Sequence, residues 1–205
     1  MEEKKISEKY NLKDKVDENF YLQSTEQVAV QLLNKILVKC EKDGTILAGK
    51  IVETEAYLGK DDAASHSFGG ETERNRPMFE KGGILYVYRS YGIHHCINIV
   101  TEEKSIGAAV LIRAVEPLAG LVLMKRRRGT DNIHKLCNGP GNTAKAFGFT
   151  KDDNFQSLLS ENLFITNNRI LPKSKIIKTQ RVGISRSRDQ MLRFYIKNSK
   201  FISRK

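Results

Sequence analysis

The sequence predicts an α+β fold: a single domain with a curved, mainly antiparallel β-sheet, flanking helices and a protruding β-hairpin. Three observations carry that prediction. The pair Asp43-Gly44 separates two runs of strand-forming residues, ILVKC and TILAGKIVETEAY, which is a hairpin signal. Two more such runs, ILYVYRS and IHHCINIV, meet around Ser90, Tyr91 and Gly92. Helical spacing is confined to short stretches, and no internal repeat or linker divides the chain.

Each element follows in order. Residues 1–20 are rich in charge and poor in large apolar groups, so a loosely ordered segment is expected ahead of a folded domain spanning 21–205. Ser24 and Gln27 form a capping-box pattern in front of the helical stretch VAVQLLNKI. In the second strand of the first hairpin, alternation puts Glu53, Glu55 and Tyr57 on one face. Residues 59–83 show little periodicity and much Gly, Asp, Arg and Asn, which reads as a long functional loop. GAAVLIRAVEP is a further strand, and Pro117 is expected to open a helix, LAGLVLMKRRR. NGPGNTAKAFGF reads as a Gly-Pro loop entering a short helix, and KIIKTQRVGIS and MLRFYIKN as two more strands.

Composition narrows the function. The chain has 205 residues, 40% of them hydrophobic, enough for one core. It contains no run of 18 apolar residues to span a membrane. The opening MEEKKISEKYNLKDK lacks the apolar stretch of a secretory signal. Cys40, Cys96 and Cys137 are odd in number, far apart and free of any C-x-x-C pair, which points to reduced thiols in a cytoplasm. His66, His94, His95 and His134 lack ligand spacing, so neither a metal nor a cofactor is expected. The net charge is +11, and the stretch from Arg169 to the end carries all of it, with 12 basic residues against Asp189 alone. Apolar residues such as Ile176, Val182, Leu192 and Phe194 interleave this run, so it is a folded segment with a basic face, suited to a polyanion.

The chemistry gathers between Glu53 and Val100, where carboxylates, an imidazole and several phenols are close in sequence. Glu55, on a strand face beside aromatic residues, is a candidate general base for water. His66, in a loop with Ser65, Ser67, Gly69 and Gly70, is a candidate pocket wall. Tyr86 and Tyr88 share a strand face and one or both could line a cavity. Tyr91 sits at a predicted turn, where a large ring suits a wedge entering stacked bases. Arg74, Arg76 and Lys81 are candidate phosphate contacts, and GPGNTAK a weak anion site. Arg113 follows the apolar run AAVLI inside a strand, where a charge needs a partner, and Glu55 is the obvious one.

Several separate motifs, in order, carry a resemblance: IVETEAYLG, ASHSFGG, RNRPMF, YVYRSYGIHHCINIV, VLIRAVEPLAG, LCNGPG, RVGIS and LRFY. Together they make the chain similar, from about Asn19 to Ser203, to the alkyladenine-type 3-methyladenine DNA glycosylases. The resemblance implies a monofunctional, monomeric repair enzyme on the nucleoid. It would flip damaged purines from double-stranded DNA and hydrolyse the N-glycosidic bond. It implies Glu55 as the general base, with Arg113 and the backbone carbonyl of Val182 helping to hold the water. Tyr57 would lie under the flipped base, with His66 and Tyr88 on its other side. Asn98 would crowd the 2-amino group of guanine, and Tyr91 would fill the gap in the duplex. Two other readings remain open. A non-catalytic RNA-binding domain would use the basic segment and the tyrosines, but has no use for Glu53 and Glu55. A nucleosidase acting on free nucleosides would not need so concentrated a charge.

Overall fold

The Asp43-Gly44 turn forms and joins β1 (Ile36–Cys40) to β2 (Ile46–Leu58). Gly44 has φ +77°, a conformation that favours glycine, and the Asp43 carboxylate accepts the Thr45 N–H at 2.9 Å. The computed structural model describes residues 14–90 and 92–204. Beyond the first hairpin come β3 (Leu85–Ser90), β4 (His94–Thr101), β5 (Ala108–Ala119), β6 (Leu163–Thr166), β7 (Ile176–Thr179) and β8 (Arg193–Ile196). Among the described residues, four α-helices accompany them: α1 (Glu18–Tyr21), α2 (Thr25–Leu32), α3 (Leu121–Arg128) and α4 (Pro140–Phe147). The main sheet runs β3-β4-β5-β2-β1-β6, every pair antiparallel, and the β7–β8 pair joins it along β2. The α+β class and the curved antiparallel sheet therefore stand as read from the sequence.

Strand β2 is 13 residues long and changes partner on one edge. Its first half pairs with β1, from Ile46 to Lys50, and its second half pairs with β8, from Glu53 to Glu55. Its other edge lies along β5 throughout, with register shifts at Ile51/Glu53 and Glu53/Thr54. Bulges of this kind bend a strand and re-aim its side chains. One face of β2 packs on α2, where the Thr54 hydroxyl donates to the Ala29 carbonyl at 2.8 Å. The opposite face holds Glu53, Glu55 and Tyr57. The main core lies under the sheet, built from Val28, Leu32, Leu37, Ile51, Ile112 and Phe147 among others. The second hairpin turns at Ser90–Ile93, with the Ile93 N–H donating to the Ser90 carbonyl at 3.0 Å and Gly92 at φ +68°. Ile93 at this turn is 70% exposed. Tyr91 lies outside the described residues. No helix among the described residues is long and apolar enough to cross a membrane.

Four readings of the sequence differ from the structure. Residues 14–20 are not loose: Val16 and Phe20 are buried, the Val16 N–H donates to the Ile165 carbonyl at 3.0 Å, and Asp17 caps α1. Residues 1–13 lie outside the described residues. Pro117 does not open a helix. It lies inside β5, opposite Gly49 at a register shift, where the ladder does not require its missing N–H. Helix α3 starts after Gly120, whose φ is +74°. The Ser24 hydroxyl bonds the Gln27 side chain at 2.9 Å rather than the helix backbone, and the remote Glu102 carboxylate takes the Thr25 N–H at 2.9 Å. Strand β6 has no counterpart among the sequence readings. It is only four residues long and no glycine turn marks it.

Gly49 shows how tightly β2 and β5 meet. A methyl group there would overlap the Val115 side chain and lie 3.0 Å from the Glu116 carbonyl oxygen. Gly49→Ala is expected to cost about 1–3 kcal/mol, read as a lowered midpoint in urea unfolding. An unchanged midpoint would mean that the strands part there without penalty.

Candidate active site

The bend in β2 brings Glu55 to the centre of the molecule, with its side chain fully buried. A buried carboxylate must be compensated, and three donors do so. The Val182 N–H donates to Oε1 at 2.7 Å. Arg113 Nη1 donates to Oε2 at 3.1 Å, and the Tyr57 hydroxyl donates to Oε2 at 3.0 Å. A carboxylate offers about four acceptor positions, so one position, on Oε1, has no protein donor among the described residues. Burial pushes the Glu55 carboxyl up from the ordinary glutamate range, and Arg113, the Val182 N–H and Tyr57 pull it part of the way back.

Arg113 is the partner that the sequence called for, but it serves two carboxylates. Its Nε donates to Glu53 Oε1 at 3.0 Å while Nη1 holds Glu55. Glu53, also fully buried, accepts in addition from Arg193 Nε at 2.7 Å. Val182 contacts Glu55 through its amide N–H, which is separate from the water-holding task that the family resemblance implies for its carbonyl.

In front of Glu55 opens a cavity of about 770 Å³. Its walls include Tyr57, His66, Tyr88, Asn98, Arg113 and Val182, so six residues singled out from the sequence meet in one place. Glu55 sits one layer behind the wall, behind Tyr57, Arg113 and Val182. His66 and Tyr88 meet edge to face with ring centres 4.5 Å apart, and Tyr86 stacks against Tyr88 at 5.6 Å. The His66 ring nitrogen Nδ1 shares a hydrogen bond with the Tyr86 hydroxyl at 2.9 Å. Burial, with help from Arg74, lowers the His66 pKa below its usual value. His66 is therefore a neutral imidazole at pH 7. Burial raises the Tyr57 and Tyr88 phenols above the ordinary range, and these rings stay uncharged as well. Asn98 donates to the Tyr86 carbonyl at 3.1 Å, which fixes its position on β4.

The surroundings also contain residues that the sequence did not reveal. Arg181 forms a fully buried ion pair with Asp62, its Nη2 2.7 Å from Oδ1, and its guanidinium lies 4.7 Å from the centre of the Tyr57 ring. Burial alone would raise the Asp62 pKa, but the hydrogen bonds and charge of Arg181 outweigh it and hold the carboxyl below its usual range. Met78, Cys96, Leu111 and Pro140 also line the wall. Arg74 lines the cavity and lies over the Tyr88 ring at 5.9 Å, while Lys81 pairs with Glu18 at 2.8 Å, away from it. The basic run is partly spent inside the molecule: Arg181 and Arg193 are buried, and Lys178 pairs with Glu26. Arg186 and Arg204 are exposed and line the cavity mouth.

Fold and site describe a single-domain enzyme with a buried carboxylate behind an aromatic recess and cations around its mouth. Comparison with known proteins gives the family. The chain belongs to the methylpurine-DNA glycosylases, whose family model matches residues 19–200. A protein named "Putative 3-methyladenine DNA glycosylase" from Chlorobium phaeobacteroides (strain BS1) is 45% identical over 192 residues, 94% of this chain and 96% of its own. One of the same name from Methanoculleus marisnigri is 47% identical over 189 residues, covering 91% of this chain and 97% of its own. Membership makes this protein a DNA glycosylase, a hydrolase of N-glycosyl bonds. The reading as a non-catalytic RNA-binding domain falls away.

The Arg181–Asp62 pair ties the loop after β2 to the loop after β7. Removing one partner of a buried ion pair leaves a bare charge, which costs about 3–5 kcal/mol. Asp62→Ala is expected to lose that much in urea unfolding. Because the native carboxyl titrates below its unfolded value, the pair stabilises the fold at neutral pH, and the stability is lost as pH falls through the native pKa. A variant as stable as the wild type would show that the pair does not hold the loops.

Proposed function

We propose that this glycosylase turns a methylated purine out of duplex DNA into the recess and releases it with a water activated by Glu55, leaving an abasic site. The observation that carries this reading is the free acceptor position on Glu55 Oε1, in a carboxylate otherwise fixed by Val182, Arg113 and Tyr57. Water held there would pass its proton to Glu55 as its oxygen attacks C1′ of the sugar. The C1′–N bond breaks, and its electron pair goes to the purine. A purine methylated at N3 or N7 carries a positive charge and leaves as a neutral base, so the leaving group does not require an acid.

The recess suits such a ring. Stacking a base on an aromatic face is worth about 1–3 kcal/mol, which offsets part of the few kcal/mol needed to flip it. Tyr57 would take one face of the base, with His66 and Tyr88 on the other side. A neutral His66 does not repel a cationic purine, and tyrosine faces attract one. Asn98, fixed on the Tyr86 carbonyl, would stand against the 2-amino group of an unmodified guanine. Tyr91 would fill the place of the flipped base, and exposed Arg186 and Arg204 would meet phosphates.

Three outcomes are expected. Glu55→Gln should lower single-turnover release from a 7-methylguanine duplex by about 10²–10⁴-fold while duplex binding persists. Turnover retained in that variant would remove Glu55 from the chemistry. Only the ionised carboxylate accepts a proton and its pKa is raised, so the wild-type rate should begin to fall at a higher pH than an ordinary glutamate would allow. Arg186→Ala and Arg204→Ala should each make the plot of log binding constant against log salt shallower by about one. An unchanged slope would move the DNA backbone off the cavity mouth.

A further inference from the structure

Two carboxylates share Arg113, and their hydrogen-bond counts differ. Glu53 accepts four bonds: from Arg113 Nε at 3.0 Å, Arg193 Nε at 2.7 Å, the Ser203 N–H at 2.6 Å and the Ser203 hydroxyl at 2.8 Å. Three of these bonds converge on Oε1 and one reaches Oε2, so Glu53 is fixed by four donors where Glu55 has three.

The Ser203 contacts come from far along the chain. Residues 199–204 run beside the site and set Ser203 between Glu53 and Arg113. The Ser203 hydroxyl donates to Glu53 and accepts from Arg113 Nη2 at 3.3 Å. The Arg204 carbonyl accepts from Arg193, so this segment is pinned at two adjacent residues. The consequence for Arg113 is geometric. Its Nε and Nη2, which form one edge of the guanidinium, are held by Glu53 and Ser203. Only Nη1 is left for Glu55.

We propose that Glu53, locked by Ser203, is a positioning residue: it holds one edge of Arg113 and thereby sets how strongly Glu55 acts as a base. The inference rests on the glycosylase reading above. Without that hold, Arg113 is free to turn two nitrogens onto Glu55 as a bidentate pair. A carboxylate so paired keeps its negative charge more firmly and takes a proton from water less readily. The other ionisable groups facing Glu55 are Tyr57 on its own strand, Tyr88 on β3, Cys96 on β4, Arg181 beyond β7 and Arg193 on β8, its partner in the strand pair. Of the arginines among them, only Arg113 bonds the Glu55 carboxylate, and only Arg113 and Arg193 bond Glu53.

The test is single-turnover release from a 7-methylguanine duplex across a pH series, with Kd for the same duplex. Glu53→Gln is expected to slow release by about 10²-fold, to move the acid limb of the profile to lower pH and to leave Kd unchanged. Ser203→Ala should act in the same direction by about tenfold, and Ser203→Thr should restore both rate and limb. A slowed enzyme whose acid limb stays where the wild type has it overturns the inference, since a purely structural role predicts that. If Glu53→Gln does not fold, as judged by circular dichroism, the two Ser203 variants decide by the same criteria. Failure of the underlying reading has a different signature: the wild type releases no methylpurine, or Glu55→Gln remains active.

Discussion

The site depends on one buried cation. Arg113 lies inside an apolar strand, where an unpaired charge would be far too costly, and two carboxylates on the neighbouring strand compensate it. With Arg193 added, the cluster holds two acids and two bases and is close to neutral. That pairing compensates two glutamates that have none of their surface in solvent. The two chemically identical side chains differ in their partners: Glu53 accepts four hydrogen bonds and Glu55 three.

The backbone makes this cluster possible. Strand β2 leaves β1 and takes up β8 near the residues that carry the acids, and the register against β5 slips at the same place. A regular strand would continue straight along its neighbours. The slipped one turns its carboxylates toward an arginine on β5 and another on β8. The opposite face remains bonded to α2 through Thr54, so the strand bends without losing its hold on the core.

Much of this was legible in the sequence, because short-range rules govern it. Alternation along a strand put Glu53, Glu55 and Tyr57 together, glycine marked the hairpin turns, and a charge after AAVLI demanded an acid. Motif order pointed to the family that the comparisons then established. The rest was hidden because it is long-range. Asp62 and Arg181 are 119 residues apart, Glu55 and Val182 127 apart, and Glu53 and Ser203 150 apart. No local pattern announces such pairs. Pro117 misled because proline is equally at home in a first helical turn and at a strand bulge, and only the opposing Gly49 decides between them. Residues 14–20 misled because their charge masks Val16 and Phe20, whose packing is visible only against β6 and the core.

Arg181 sits against one side of the Tyr57 ring at 4.7 Å and is itself clamped by Asp62. An aromatic ring has two faces, and here one is permanently covered. Tyr57 therefore cannot slide between neighbours in a stack as a free tyrosine can. With its back fixed, only the other face of the ring is left to turn toward the recess that Tyr57 helps to line.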